Sequence, residues 1–309
     1  MASVVAALMW LAVPAAAADR VTGTGQTKRS ASLGFVAASD RTGELNYISN
    51  SGAFHVHCTR FSSFKSSTEI FTRTPSWSLQ GGTLKNYVWA LGPTGGNLGV
   101  FFWNTVLAAG LTAIITAVLG AMGGYAMARY VFPGRRVLAL ALLLSPMFQG
   151  PPVMIPFYRI LSTLRLINTI PGLVLVYLSL TLPICIWLMA GFFRSLPREL
   201  EEAALVDGCS PVGAFARILL PLTLPGLAAT SLYAFVVAWN DYQYALILTS
   251  SERAKTIQLS LSELLTFFGQ TNWGGIMASG VLTTLPVVLI FMLIQRVLVQ
   301  GITAGALKS

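Results

Sequence analysis

Charge is what this chain has least of. Only 10% of its 309 residues are Asp, Glu, Lys or Arg, against about 25% in soluble globular domains. So thin a polar coat does not suit a surface in water, and lipid is the expected solvent. Acidic residues are scarcer than basic ones, 11 against 20, for a net charge of +9. The basic residues fall in short groups between apolar runs, with no basic stripe interleaved with aromatics. They read as headgroup and orientation anchors, and no nucleic-acid partner is expected. Cysteine and histidine are also rare. Cys58, Cys185 and Cys209 lie far apart without a CxxC pair, which argues against a disulfide framework or a zinc ribbon. His55, His57 and Cys58 gather three possible ligands, but no second cluster completes a four-ligand site, so an ordinary polar loop is expected and no metal. Both histidines precede the long apolar runs, which leaves a membrane enzyme no clustered acid–base groups. A GxxxxGK[ST] phosphate loop is missing too, so this chain is not expected to bind ATP itself.

Apolar runs are what the chain has in abundance. A helix crossing about 30 Å of hydrocarbon needs about 20 predominantly apolar residues. Five stretches qualify: Gly99 to Ala128, Val137 to Phe157, Gly172 to Phe193, Leu219 to Trp239 and Met277 to Ile294. None alternates with period two, so helices rather than barrel strands are predicted. The expected fold class is an all-α, polytopic membrane bundle of five to six helices. Pro146, Gly150, Pro151, Pro152 and Pro156 interrupt the second stretch. Such a break is either a packing kink or a helix bordering a water-filled path. Asn104 and Gln149 are polar groups within apolar runs, for which helix–helix hydrogen bonds are the expectation. Cys185 reads as a small apolar filler.

Residues 1–18 are apolar and end in four alanines. They read either as a signal-peptide core or as a short first membrane helix. Residues 19–95 are rich in Ser, Thr and Gly and read as an extracytoplasmic loop, a poorly ordered segment or the product of a misassigned start. A membrane domain is expected over 96–300 and a cytoplasmic tail over 301–309. The positive-inside rule puts Arg129, Arg135 and Arg136 in the cytoplasm. Counting onward puts Arg159 and Arg165 outside, Arg194 to Arg217 inside, Asp241 to Gly275 outside and the C-terminus inside.

The loop over 194–221 differs from the rest. Pro197 suits a first helical turn, and Glu199, Glu201 and Glu202 crowd a helix N-terminus where the dipole favours negative charge. Arg198 and Glu202 are spaced i,i+4. Gly208 suits the left-handed residue that closes a helix. Ser210 and Pro211 form an N-cap and N1 pair for the next one. Ala203, Ala204 and Gly208 leave a small-residue surface open to close approach by another protein.

The pattern Glu202-Ala203-Ala204, Gly208, Ile218, Leu220-Pro221 has seven matched positions over twenty residues. It resembles the cytoplasmic signature loop of binding-protein-dependent ABC importer permeases. Phe64-Lys65 with Glu69-Ile70-Phe71, Tyr125 to Arg129 with Phe132 to Arg135, Ile155 to Tyr158, Ala238 to Asp241 and Gly301 to Lys308 are similar to the carbohydrate and glycerol-phosphate branch. The likeness is to the smaller permease of maltose-type systems. In that branch the first helix runs directly into the Phe-Lys element, whereas here a polar stretch precedes Phe64.

The resemblance implies a type I ABC importer permease fold in a bacterial inner membrane. It implies as partners a second permease, two ATP-binding cassette subunits that use the ATP, and an extracytoplasmic solute-binding protein. ATPase coupling falls on Glu202, Ala203, Ala204, Asp207, Gly208, Ile218, Leu220 and Pro221. Trp239, Asn240, Asp241 and Gln149 are candidates for a gate or substrate path, with interfacial anchoring the plainer role for Trp239. An ion-coupled secondary transporter, which needs ionisable groups deep in its helices, and a non-transporting membrane scaffold stand as alternatives.

Overall fold

The computed structural model describes residues 59–71, 82–93, 96–148, 150–267 and 272–306. Residues 1–18, most of 19–95 with His55, His57 and Cys58, then Gln149, and Leu307 and Lys308 lie outside the described residues. Helices are α1 (Lys85–Leu91), α2 (Leu98–Arg129), α3 (Arg135–Leu144), α4 (Pro151–Thr163), α5 (Ile170–Ser195), α6 (Glu199–Val206), α7 (Pro211–Leu222), α8 (Leu224–Trp239), α9 (Gln243–Leu248), α10 (Ile257–Phe267) and α11 (Trp273–Ala306). The described residues contain no strand.

All five expected stretches are helical. By length and composition α2, α5 and α11 can each cross a membrane, and two bent pairs raise the total to five where each pair is counted as one span. The proline-rich second stretch is the first pair. Its break falls at Gly150, where φ is +119°, and Pro151 and Pro152 enter the first turn of α4, where a missing N–H costs nothing. Pro156 is accommodated inside α4. The fourth stretch is the second pair. It is bent by 77° at Thr223 between α7 and α8, where the sequence suggests one run from Leu219. Helix α11 continues through Ala306, past the tail boundary expected at 301.

The chain divides into two compact units. The smaller joins the described residues up to Ala90 with Asn272–Val288. Here the Asn86 amide donates to the carbonyls of Ser63 and Lys65, both at 2.8 Å. Phe71 meets Trp273 edge to face at 5.9 Å. Gly274 and Gly275 are required by close approach, since a Cβ would lie 2.5 Å from Asn86 and 2.2 Å from Trp89. Part of α11 thus groups with the N-terminal elements.

The larger unit is built on α2 against α5. Along α2 the small residues Gly120, Gly123 and Gly124 let α5 approach. A Cβ on Gly124 would sit 2.5 Å from the Met189 Cβ and 2.9 Å from the Ala190 nitrogen, which is the small-residue route to close helix packing in lipid. Thr116 and Thr181 hydrogen-bond across the same interface at 3.0 Å. Cys185 is fully buried there. Thr169 caps α5 by accepting from Gly172 N at 3.2 Å. Arg129 and Arg194 stand in the last turns of α2 and α5, where positive charge meets the dipole. Among the described residues, Asn104 bonds no other helix. Its amide donates to the carbonyls of Glu252 and Lys255 at 3.0 and 3.1 Å, because an irregular segment there exposes carbonyls that need donors. Asn168 takes the amides of Ser250 and Ser251, both at 3.1 Å. One end of α2 thus gathers residue 168 and residues 250–257, and the other gathers the 194–221 loop.

Candidate functional site

The 194–221 loop folds as a short helix, a tight turn and a second helix. Arg198 is the N-cap of α6, so Pro197 lies just before the helix rather than in its first turn, and Glu199, Glu201 and Glu202 occupy that turn. The helix ends in a Schellman turn. The amide of Cys209 bonds the Ala204 carbonyl at 3.0 Å, the amide of Gly208 bonds the Leu205 carbonyl at 3.1 Å, and Gly208 has φ +84°. A Cβ on Gly208 would meet nothing within 4 Å, so backbone conformation and not crowding calls for glycine. Ser210 then caps α7, accepting from Gly213 N at 3.1 Å, with Pro211 in its first turn.

Within α7 the turn Phe215–Leu219 is π-helical, with the Leu220 amide reaching the Phe215 carbonyl. Such wide turns recur at functional sites. Leu219 is fully buried in a cluster with Ala121, Tyr125, Ala128, Met189 and Phe193. Phe215 and Leu220 pack against that cluster, and the Tyr125 ring lies 4.8 Å from Phe215 and 5.6 Å from Phe193. The loop is therefore seated on the ends of α2 and α5.

The two faces of α6 have different tasks. Ala204 is buried at 2% exposure and faces the base, so it does not join Ala203 in a small-residue outer surface. Glu202, Ala203, Asp207 and Gly208 are exposed. Beside them stand apolar side chains left in the open, Val206 at 88% and Val212 at 75%. Ile218 and Leu220 are half-buried, and Pro221 is exposed at the far end. Arg198 and Glu202 form no ion pair among the described residues. The charge that finds a partner is Glu201. Its carboxylate lies 3.0 Å from Arg129 Nε and accepts from the Tyr125 hydroxyl, while Arg129 Nη2 donates to the Leu196 carbonyl at 3.2 Å. Nothing in the spacing pairs residue 129 with residue 201, so sequence reading passes over this cluster. The only sign is that Tyr125 and Arg129 share a face at the end of an apolar run.

The residues after α8 are placed as follows. Trp239 is 1% exposed, stacked on Phe235 at 5.3 Å and edge-on to Phe102 at 5.8 Å. It is a core residue and not an interfacial anchor. The Asn240 amide donates back to the Val236 carbonyl at 2.8 Å. Asp241 accepts from the Tyr177 hydroxyl at 2.9 Å and from the amides of Ala245 and Tyr244 at 3.0 and 3.3 Å, which caps α9. Burial pushes this carboxyl above the ordinary carboxylate range, and those hydrogen bonds oppose the shift. Gln149 lies outside the described residues. No group of three or more His, Cys, Asp or Glu able to hold a metal occurs among the described residues.

Known proteins match this arrangement. Residues 120–304, more than half of the chain, match the family described as binding-protein-dependent transport system inner membrane component. The chain is 33% identical over 227 residues to the trehalose/maltose transport system permease protein MalG of Thermococcus litoralis, covering 74% of this chain and 82% of that one. It is 32% identical over 256 residues to the diacetylchitobiose uptake system permease protein DasC of Streptomyces coelicolor, covering 83% and 92%. In fold it is similar to a chain of a bacterial ABC transporter that imports the acidic polysaccharide alginate, with a TM-score of 0.72 at 20% identity over 88% of this chain and 99% of that one. That match over more than half of the chain, together with a relative 33% identical over 82% of its own length, places the chain among the binding-protein-dependent transport system inner membrane components, the permease subunits of ABC importers.

Proposed function

We propose that this subunit serves the uptake of a di- or oligosaccharide across a bacterial inner membrane, and that the outer face of α6 receives the push of an ATPase subunit. The observation that carries the coupling reading is the two-sided loop. Ala204 and Leu219 hold it to the helix ends, while Glu202, Ala203 and Val206 stand free on the other side. An apolar patch rimmed by charge suits a protein partner. Ile218, Leu220 and Pro221 carry the push from the docked helix into α7 and the bend at Thr223, and Asp207 and Gly208 hold the turn between the two.

ATP is bound and hydrolysed by two partner subunits, with no cofactor on this chain. A second permease completes the pathway, and a solute-binding protein delivers the solute from outside. The saccharide class is supported by the names of the relatives above. The bend that follows α8, with Asn240 and Asp241 half-exposed over buried Trp239, is the candidate path lining, together with Gln149. Nucleotide shifts such a two-state transporter only through differential affinity for its states.

The test is purification of the tagged subunit from membranes, then reconstitution with trehalose, maltose and diacetylchitobiose as probes. A second permease and two ATPase chains should co-purify, and binding protein loaded with one of these sugars should stimulate ATP hydrolysis. Co-purification without stimulation by any saccharide-loaded binding protein would remove the substrate reading. No ATPase in the preparation would remove the coupling reading.

A further inference from the structure

The signature loop carries two neighbouring glutamates that face opposite ways. Glu202 is exposed, whereas Glu201 turns inward onto the last turn of α2. Its carboxylate is shared between Arg129 and the Tyr125 hydroxyl, and the side chains of Arg129 and Glu201 are only 7% and 18% exposed. Such a cluster costs desolvation, and its contribution to stability is small or negative against an apolar replacement. A charged cluster in the otherwise apolar foot of the bundle therefore calls for another role.

The rest of α2 suggests that role. Its other end holds the 252–257 segment through Asn104 and through Thr105, whose hydroxyl oxygen accepts from the Ile257 amide at 2.8 Å. Between the two ends the helix is unbroken for 32 residues, long enough to cross the bilayer. We propose that Glu201 is a positioning residue that latches α6 to α2, so that a displacement of α6 is carried along α2 to the 252–257 segment on the opposite side. The chain also offers α6 a covalent route through α7, but that route passes a π turn and a 77° bend. The latch is the direct link to an unbroken helix. This inference rests on the coupling reading above, and adds the route by which the push leaves the loop.

The test uses the complete transporter in lipid nanodiscs, which leave both faces open to reagents, with Cys58, Cys185 and Cys209 replaced by Ala and a reporter at Arg253→Cys, an exposed position in the segment. The labelling rate by a membrane-impermeant maleimide is compared without nucleotide and with Mg-ATP plus vanadate. In the parent the rate should change. Glu201→Gln and Tyr125→Phe should keep the ATPase subunits bound yet lose most of that change, and Arg129→Lys should restore part of it relative to Arg129→Met. Glu202→Gln should do the opposite, weakening ATPase capture itself. The latch is overturned if Glu201→Gln responds like the parent, or if it sheds the ATPase subunits as Glu202→Gln does. A parent complex that binds no ATPase overturns the coupling reading, and the latch with it.

Discussion

Gly208 is the residue on which the shape of the signature loop turns. Its φ of +84° closes the Schellman turn between α6 and α7. A side chain with a Cβ costs about 1–2 kcal/mol there, and a β-branched one more. Gly208→Val should leave the subunit in the membrane and bound to its ATPases while solute moved per ATP falls severalfold. Gly208→Asn, which tolerates the left-handed region, should fall less; paired uptake and phosphate-release assays on reconstituted complexes distinguish them. Arg129 makes a different prediction. Arg129→Met strands the Glu201 carboxylate in a mostly buried site, a loss of about 3–5 kcal/mol for the breaking of a buried pair. Arg129→Met combined with Glu201→Leu should recover much of it, as read by thermal aggregation of the detergent-purified subunit. Asp241 acts through its acceptors, not through a free charge. Asp241→Asn keeps an acceptor for the Tyr177 hydroxyl and the α9 amides, whereas Asp241→Leu removes the cap, worth about 1 kcal/mol. The second variant should be the less stable in the same assay.

Helices α2 and α5 carry the packing of the larger unit, and glycine decides how close they come. Gly124→Val would drive a Cβ into the Met189 Cβ and the Ala190 backbone. Overpacking of this kind costs about 1–3 kcal/mol, and backbone cannot swing aside as a side-chain end does. Gly191, at which a Cβ meets nothing within 4 Å, is the matched control on α5. Gly124→Val should lower the melting temperature by size-exclusion recovery after heating, and Gly191→Ala should not. The helices themselves were legible in the residues because a run of some twenty apolar side chains has no other stable backbone form in lipid. So were the Gly208 and Ser210–Pro211 caps, since each is a local preference of one residue for one backbone position. The bend at Thr223 was not, because Leu219 to Trp239 carries no charged residue and hydropathy does not register direction, although Pro221, Pro225 and Gly226 flank the bend as breakers. The inward turn of Ala204, the burial of Trp239 and the pairing of Glu201 with Arg129 depend on which helix lies alongside, a tertiary fact no single run contains.

At the scale of the molecule, the two ends of α2 sort the loops into two groups. Arg129 and the 194–221 loop share one end, and Asn168 with residues 250–257 shares the other. The side assignments drawn from the basic residues put the first group inside and the second outside, although arginine and lysine occur in both groups. Membrane-impermeant labelling of intact cells should therefore reach Arg253→Cys and not Val206→Cys, with permeabilisation exposing the latter. On the proposed coupling, the exposed face of α6 is pressed by an ATPase. Val206→Cys carrying a benzophenone, irradiated in the assembled transporter, tests it most directly. One major adduct is expected, with the ATPase subunit, and its yield should change when Mg-ATP and vanadate are added. An adduct only with lipid or the second permease, in a complex that still contains its ATPase subunits, would contradict it.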